Sequence, residues 1–264
     1  MKMLQLVIPA AGLGSRFTAI GISTPKPVID VLGLPMIAWV IGNFKLTSSD
    51  VVIIVTRREL EIEETLTRFL HNFQCRVEFI YIDHVTEGPA ITVSLANPSL
   101  DPEEALIVAN SDQYVSADLT VFENEVRNSI NWGQILTMKA SSTKWSYIRK
   151  NESGYVSEVK EKVEISNEAT VGIYGWSKAK YFFDSLRLMT LSDDRTNGEF
   201  YVGPSYNYFA DKKLVSAINI GDLENHVHGL GTPEDLDIFK RNDQRFTFLN
   251  SVKRNLNVLE VANE

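Results

Sequence analysis

The fold is decided by residues 3–17, which read MLQLVIPAAGLGSRF. Residues 3–8 are mostly apolar, as expected of a short buried strand, and the strand is followed by small residues, two glycines and Arg16. Small residues let backbone N–H groups approach an anion closely, and a guanidinium adds a forked, charge-assisted contact. The stretch therefore predicts a phosphate-binding loop. Its alternative interpretation is an ordinary strand-to-helix turn that exposes an arginine.

A second cation follows in Pro25-Lys26-Pro27, where the two prolines restrict the backbone and predict an extended segment. Together the loop and Lys26 offer two cations and a row of amides to one polyanion, a combination typical of enzymes that bind nucleotides or sugar phosphates. Two other phosphate motifs are excluded. Phe17 stands where a dinucleotide fingerprint needs its third glycine, and the chain contains no Gly-Lys-Ser/Thr sequence.

Composition indicates an ordinary globular protein, with 264 residues of which 44% are hydrophobic and 23% charged. The net charge of −8 argues against general nucleic-acid binding, but a local cationic pocket is enough to bind an anion. The single cysteine, Cys75, excludes an intrachain disulfide and favours a buried structural thiol in a reducing compartment. Neither a signal-peptide pattern nor a membrane-spanning apolar run is present. We expect a cytoplasmic protein without nucleic-acid or membrane partners.

Strand and helix patterns alternate in the first part of the chain. This alternation predicts an α/β fold with a Rossmann-like, mixed but mainly parallel sheet and helices on both faces, with ligands at the carboxyl ends of the strands. The second part suggests shorter, partly antiparallel strands, two helices, and a last helix that Thr232 caps before Pro233. The predicted strands are residues 4–9, 51–56, 77–82, 105–110, 134–138, 146–149, 155–161, 170–176 and 214–220. The predicted helices are residues 36–44, 59–72, 89–96, 178–191 and roughly 200–210.

The fourth strand of this series ends in Asn110-Ser111-Asp112-Gln113, which places a carboxylate at the sheet edge that faces the glycine-rich loop. Mg²⁺ needs only one or two carboxylates when phosphate oxygens and water complete its shell. Asp112 is therefore a candidate metal ligand, and its alternative role is to cap the following turn.

Two further segments are less specific. Gly88 permits close backbone approach, and Pro89 after it would open a helix with Ala90 facing inward, a floor on which a planar base could lie. A predicted strand ends in Val159-Lys160-Glu161-Lys162. One of its two lysines could contact a second phosphate, or both could face solvent.

Taken in the order in which they occur along the chain, the glycine-rich loop, the Lys26 segment, the Asp112 segment and several later motifs resemble those of the sugar nucleotidyltransferases. This family is also known as the nucleoside-diphosphate-sugar pyrophosphorylases. The resemblance extends over residues 3–242 and is most specific in the first loop. Asn110-Ser111-Asp112-Gln113 and residues 197–202 resemble the branch associated with capsule and surface polysaccharides. The motifs that carry it are residues 10–16, 25–27, 33–37, 109–113, 161–162, 171–174 and 231–235.

The resemblance implies a nucleotide-diphospho-sugar transferase (GT-A-like) fold and a Mg²⁺-dependent reaction between a nucleoside triphosphate and a sugar 1-phosphate that releases pyrophosphate. It implies one domain, residues 1–264, with a triphosphate-binding half (1–140) and an acceptor-binding half (141–264). Arg16, Lys26, Asp112 and Lys162 would be the catalytic residues, with Asp112 on the metal and Lys162 on the sugar phosphate. Gly172 and Glu199 would bind the acceptor. The triphosphate and base would lie against Ala10, Ala11, Gly12, Gly14, Ser15, Arg16, Lys26 and Gly88.

One departure leaves the metal site open. Many relatives carry a second metal-binding aspartate where this chain has Gly229. Either His228 or Asp222 would then replace that aspartate as a metal ligand, or Asp112 would hold the metal with phosphates and water alone. The alternatives to the main interpretation are a cytidylyltransferase acting on phosphocholine or a similar small phosphate, and a non-catalytic nucleotide sensor. A glycosyltransferase is disfavoured because Asp112-Gln113-Tyr114 lacks the second aspartate of Asp-x-Asp. The identity of the base stays open, with a weak preference for a pyrimidine. The identity of the sugar and the presence of a homo-oligomer also stay open.

Overall fold

The computed structural model describes residues 2–209 and 214–257. The strands are β1 (Leu4–Ala10), β2 (Asp30–Val31), β3 (Leu34–Pro35), β4 (Val51–Arg57), β5 (Arg76–Ile82), β6 (Ala105–Ala109), β7 (Gln113–Val115), β8 (Gly133–Lys139), β9 (Tyr147–Lys150), β10 (Val156–Lys160), β11 (Glu168–Trp176), β12 (Val215–Asp222) and β13 (Val227–Gly229). The α-helices are α1 (Ser15–Thr18), α2 (Met36–Ile41), α3 (Ile62–Leu70), α4 (Pro89–Ser94), α5 (Thr120–Asn128), α6 (Ala179–Leu191), α7 (Leu223–His226), α8 (Pro233–Arg241) and α9 (Arg245–Asn255).

The central sheet is built around β1, which pairs in parallel with β4 on one side and with β6 on the other. The register sets Ala10 opposite Thr56 and Leu4 opposite Ala105, and β5 extends the parallel half beyond β4. Parallel strands bring their carboxyl ends to the same edge. The glycine-rich loop after β1 and the Asp112 segment after β6 consequently leave the sheet side by side.

The second part of the chain completes the same nine-stranded sheet. β11 runs antiparallel to both β6 and β8, while β12 pairs in parallel with β8 and the hairpin of β9 and β10 forms an edge. The small antiparallel pair of β7 and β13 lies outside this sheet and brings residues 227–229 beside residues 113–115.

Helices cover both faces because the central strands are apolar on both faces. Alternate residues of β1 enter different cores: Leu6 and Ile8 belong to one core with residues of α2, α5 and α8, and Val7 belongs to the other with residues of α4 and α6. The predicted α/β class with a mixed, mainly parallel sheet is confirmed. Cys75 is buried just before β5, and burial raises the pKa of its thiol to about 12.

Two local predictions need correction. The helix predicted around residues 200–210 is present but shorter, as a 3₁₀ helix at Gly203–Tyr208. Tyr206 is buried there, and its hydroxyl donates to the carbonyl of Gly175 at 2.8 Å. Residue 210 lies outside the described residues. The expected extended segment at Lys26 is a 3₁₀ turn, Lys26–Val28, in which the N–H of Ile29 donates to Lys26 O. No helix in the described ranges is both long and apolar enough to cross a bilayer.

A buried ion pair ties the amino end of β1 to α5. The Asp50 carboxylate accepts from Arg127 Nη1 at 2.6 Å and Nη2 at 2.8 Å, and also from the backbone N–H groups of Leu4 and Thr47. The two charged side chains are 0% and 2% exposed. Burial opposes ionisation, but the hydrogen bonds from Arg127 and the two amides keep the pKa of Asp50 below its ordinary value of 3.8.

We expect Asp50→Asn to lower the free energy of unfolding by about 3–5 kcal/mol, because it leaves the Arg127 charge buried without its counter-ion. The pKa of Asp50 is lower in the folded state, so its stabilising contribution is complete above about pH 3.8 and disappears as the pH falls through the folded value. Urea unfolding at pH 7 and pH 3 measures both effects. Asp118→Asn is the control because Asp118 is largely exposed. A small effect at pH 7, equal to that of the control, would contradict the assignment.

Candidate functional site

A cleft lies at the carboxyl edge of the parallel strands and has two adjoining compartments. The loop compartment encloses about 180 Å³ and the larger wide compartment about 780 Å³. They meet at Pro9, Pro89 and Ser111, which line both. The predicted site residues that line the loop compartment are Ala10, Ala11, Gly12, Gly14, Lys26, Gly88 and Glu199. Those that line the wide compartment are Arg16, Asp112 and Gly172.

The glycine-rich loop turns sharply between β1 and α1. Gly14 has a φ of +64°, a left-handed conformation that favours glycine, and it precedes the four-residue helix α1. Within the described part of the chain, the amides of Gly12, Leu13 and Gly14 have no protein acceptor. Ser15 begins α1 at the exposed rim. The loop thus has free backbone donors beside Arg16, as anion binding requires.

Lys26 and Asp112 meet across the junction of the two compartments. Lys26 Nζ lies 2.5 Å from Asp112 Oδ2, and both side chains are partly buried, at 21% and 25% exposure. The Asp112 carbonyl accepts from the N–H of Leu230 at 2.8 Å. A Cβ added at Gly231 would overlap the Asp112 carboxylate, so the glycine leaves room for this carboxylate where it now lies. The segment before α8 therefore fixes the position of Asp112.

The donor set around Asp112 fits a magnesium ion that is shared with a phosphate. Asp112 Oδ1 has no hydrogen-bond or ion-pair partner in residues 2–209 and 214–257, and these residues contain no group of three metal-ligating side chains. One carboxylate beside a phosphate-binding loop is enough for Mg²⁺, which completes its shell with phosphate oxygens and water.

Gly229, where many relatives carry the second aspartate, lies beside the carboxylate of Asp235. A Cβ at Gly229 would come within 3.3 Å of Asp235 Oδ2, and that carboxylate accepts from Thr232 Oγ1 at 2.8 Å at the start of α8. Thr232 caps this helix as predicted, accepting from the Asp235 N–H at 3.0 Å. Asp222, one of the suggested substitutes, is exposed at the end of β12 and does not line the cleft.

His228, the other suggested substitute, lines the wide compartment but packs among aromatic rings. Its ring centroid lies 4.9 Å from that of Phe248 and 5.9 Å from that of Tyr114. Nε2 is buried and has no hydrogen-bond partner in the described residues. Burial, with a smaller contribution from His226, lowers the pKa of His228 to about 4.

Gly88 and Glu199 meet at the wall of the loop compartment. Gly88 has a φ of +124° and precedes α4, with Pro89 at the first helical position and Ala90 buried, as predicted. A Cβ at Gly88 would lie 2.6 Å from the backbone N and O of Phe200 and 3.1 Å from Glu199 Cβ. The Phe200 N–H donates to Glu87 O at 2.8 Å, and the Ala90 N–H donates to Phe200 O at 3.0 Å. The segment that carries Glu199 is therefore held directly on the Gly88 turn.

Lys162, Tyr201 and Glu199 form a chain of hydrogen bonds. Lys162 Nζ donates to the Tyr201 hydroxyl at 2.7 Å, which donates to Glu199 Oε2 at 2.7 Å. Lys162 has a φ of +56° and is not itself among the residues that line the cleft, whereas Tyr201 and the neighbouring Glu161 are. Burial raises the pKa of Tyr201 above its ordinary value, and the bond to Glu199 adds to the rise. Tyr201 thus connects the predicted acceptor residues to the wide compartment.

The wide compartment is also lined by Glu161, to which the sequence motifs assigned no role of its own. Glu161 is buried, and its carboxylate accepts from Ser146 Oγ; burial raises its pKa, while Ser146 and Lys162 oppose the rise. Gly172 has a φ of +75° at a bulge in β11, and a Cβ there would overlap the amide group of Asn110. Tyr201 lines this compartment, whereas Trp176 and Tyr206 stack on each other in the core.

Three comparisons with known proteins bear on this site. The profile of the nucleotidyl transferase family matches residues 5–199, which include the loop, Lys26, Asp112, Lys162 and Glu199. The chain belongs to the nucleotidyl transferase family. The predicted resemblance to nucleotidyltransferases is confirmed.

Among curated relatives, the chain is 26% identical over 220 residues to the bifunctional protein GlmU of Thermoanaerobacter pseudethanolicus, covering 80% of this chain and 45% of that protein. It is 27% identical over 182 residues to the mannose-1-phosphate guanylyltransferase catalytic subunit beta of Dictyostelium discoideum, covering 66% and 49%. The chain therefore spans about half the length of the curated relatives it matches.

Among solved structures, a nucleoside-diphosphate-sugar pyrophosphorylase from Vibrio cholerae superposes with a TM-score of 0.76 at 21% identity, over 90% of this chain and 100% of that one. An inositol-1-phosphate CTP transferase from T. maritima superposes with a TM-score of 0.72 at 13% identity, over 96% and 97%. These similarities confirm the nucleotide-diphospho-sugar transferase fold.

We expect an NMR titration to give His228 a pKa of about 4, compared with 6.5 for an ordinary histidine. Between these values the unfolded chain binds a proton that folded His228 does not, so its contribution to stability decreases as the pH falls from 6.5 to 4. His228→Phe should weaken this dependence and identifies the resonance. A His228 that titrates near 6.5 would contradict its burial among the rings.

Proposed function

We propose that this chain catalyses nucleotidyl transfer from a nucleoside triphosphate to a sugar 1-phosphate, with Mg²⁺, giving a nucleoside-diphosphate sugar and pyrophosphate. The observation that carries the proposal is that one cleft is lined by the glycine-rich loop with its free amides, by the Lys26–Asp112 pair, and by Glu199 and Tyr201 of the Lys162–Tyr201–Glu199 chain. These three groups offer contacts to the three parts that the reaction must align: a triphosphate, a reacting phosphorus and an acceptor phosphate.

The reaction needs no protein nucleophile. An oxygen of the acceptor phosphate attacks the α-phosphorus of the triphosphate, a new P–O bond forms, and the bond to the β-phosphate oxygen breaks to release pyrophosphate. Catalysis of this type depends on in-line positioning and on stabilisation of charge. Mg²⁺, when bound at Asp112, supplies positive charge to the phosphate oxygens.

The chain's own residues divide these tasks. The loop amides and Arg16 hold the β- and γ-phosphates, and Lys26 stabilises charge that develops between the α-phosphate and the leaving pyrophosphate. Lys162 orients the acceptor phosphate, while Gly88 leaves a flat surface for the base. Gly172 and Glu199 contact the acceptor, with Glu199 close enough to the Gly88 turn to contact the nucleotide also. Residues 1–140 and 141–264 form the two halves of one domain.

The similarity to the nucleoside-diphosphate-sugar pyrophosphorylase from Vibrio cholerae supports a sugar phosphate as the acceptor. The resemblance to the polysaccharide branch supports a role in surface polysaccharide synthesis. A second candidate acceptor is a non-sugar phosphate taken by a cytidylyltransferase. The superposition with the inositol-1-phosphate CTP transferase favours it. Tyr201 is compatible with both acceptors, because an aromatic ring stacks on sugars and also contacts quaternary ammonium groups.

Pyrophosphate release tests the proposal directly. The wild-type protein is mixed with Mg²⁺, each of CTP, UTP, dTTP, GTP and ATP, and each of a panel of sugar 1-phosphates, inositol 1-phosphate and phosphocholine. Release that requires both substrates and is strong for one pair is expected. Release with no acceptor, or from no pair at all, would contradict nucleotidyl transfer.

Asp112→Asn is the negative control for this panel, and we expect it to lower turnover by about 100-fold or more, because it removes the metal ligand and the counter-charge of Lys26. Asp118→Asn is the matched control variant, because Asp118 is an exposed carboxylate just before the N-terminus of α5, and this variant should retain activity.

Lys162→Ala should raise the apparent KM for the acceptor by about tenfold or more, because a charge-assisted contact to the acceptor phosphate contributes about 1.5–3 kcal/mol. The KM for the nucleoside triphosphate should change much less. Lys160→Ala is the matched control because Lys160 lies two residues away and its side chain is half exposed. Equal increases in both KM values would remove the role assigned to Lys162.

A further inference from the structure

Arg57, the last residue of β4, contacts the glycine-rich loop from behind. Its Nε donates to the carbonyl of Ala11 at 3.0 Å, and its Nη2 donates to the carbonyl of Gly12 at 3.3 Å. The residue is 8% exposed, and Nη1 is paired with the carboxylate of Glu59. Its position follows from the sheet, because Ala10 and Thr56 are opposite each other, so that Arg57 emerges beside the start of the loop.

These two bonds fix the direction of two consecutive peptide groups. In a trans peptide the C=O and the following N–H point in opposite directions. Holding the Ala11 carbonyl toward Arg57 turns the Gly12 N–H away from it, and holding the Gly12 carbonyl does the same for the Leu13 N–H. These are two of the amides that have no protein acceptor in the part of the chain that the structure describes.

We propose that Arg57 is a positioning residue for the phosphate-binding loop: its guanidinium orients the amides of Gly12 and Leu13 toward the triphosphate. The inference rests on the proposed function and extends it. Without Arg57, both carbonyls are free to rotate toward the cleft, where their partial negative charge would repel a phosphate oxygen. The planar, forked guanidinium of arginine donates to two adjacent carbonyls at once, whereas the compact ammonium group of lysine does not hold both in this way.

The test measures binding without an acceptor, so that it does not depend on turnover. Inorganic tripolyphosphate with Mg²⁺ is titrated calorimetrically into wild type, Arg57→Gln, Arg57→Lys and Arg58→Gln. Arg58 is the matched control because its side chain is 65% exposed and pairs with Asp83. We expect the Arg57→Gln and Arg57→Lys variants to bind about tenfold more weakly, equivalent to about 1.4 kcal/mol, and Arg58→Gln to bind as wild type does.

A second readout separates orientation from folding and from long-range charge. In ¹⁵N NMR of the wild type, tripolyphosphate should shift the amide signals of Gly12 and Leu13, and in Arg57→Lys these shifts should be much smaller. Should Arg57→Gln fail to fold, the lysine variant and the wild-type spectrum still decide the matter. Wild-type affinity in Arg57→Lys, or wild-type amides at Gly12 and Leu13 that do not shift, would overturn the proposal.

The outcomes for Arg57 and for the proposed function are distinguishable. Normal pyrophosphate release by Arg57→Lys, with normal tripolyphosphate affinity, overturns the role of Arg57 and leaves nucleotidyl transfer standing. Tripolyphosphate binding that depends on Arg57, in a wild type that releases no pyrophosphate, supports the role of Arg57 and contradicts the catalytic function. A wild type that binds no tripolyphosphate overturns the role of Arg57, and it overturns the proposed function as well only when no substrate pair gives pyrophosphate release.

Discussion

The parallel pairing of β1 with β4 and β6 is the constraint on which the rest of the site depends. Because the three strands run in one direction, the glycine-rich loop, Arg57 and the Asp112 segment all emerge at one edge of the sheet. The antiparallel strand β11 then lies against β6 and places Gly172 beside Asn110. A shift of one residue between β1 and β4 would move Arg57 away from the carbonyls of the loop.

Charge in the cleft is arranged locally, against the overall charge of the chain. The protein carries a net charge of −8, yet Arg16 and Lys26 face the same cleft as the free amides of the loop. Asp112 balances Lys26, and the buried Arg57, which pairs with the exposed carboxylate of Glu59, lies behind the loop. A triphosphate entering this cleft would therefore meet oriented dipoles and cations that are already in place, which lowers the cost of reorganisation during the reaction.

The sequence was sufficient to predict the strands of the parallel half, the loop, the capped start of α8 and the buried Ala90, because each depends on local patterns of apolar, small or helix-capping residues. Contacts between distant segments could not be predicted in this way. Arg57 reads as the polar end of a strand, and only the register of β1 and β4 shows that it reaches the loop. Tyr201 was visible as an aromatic residue, but its place between Lys162 and Glu199 depends on how residues 199–201 fold back onto the Gly88 turn. Helices α5 and α9 were missed because polar residues interrupt their apolar pattern.

The central claim is that the loop at the end of β1 holds a triphosphate whose α-phosphorus lies at the Lys26–Asp112 pair. A crystal structure with Mg²⁺ and the α,β-methylene analogue of the triphosphate that supports turnover tests it most directly. The account predicts the β- and γ-phosphates on the amides of Gly12 and Leu13 and the base beside Gly88. A triphosphate whose β- and γ-phosphates contact neither of these amides, or a base that lies away from Gly88, would contradict it.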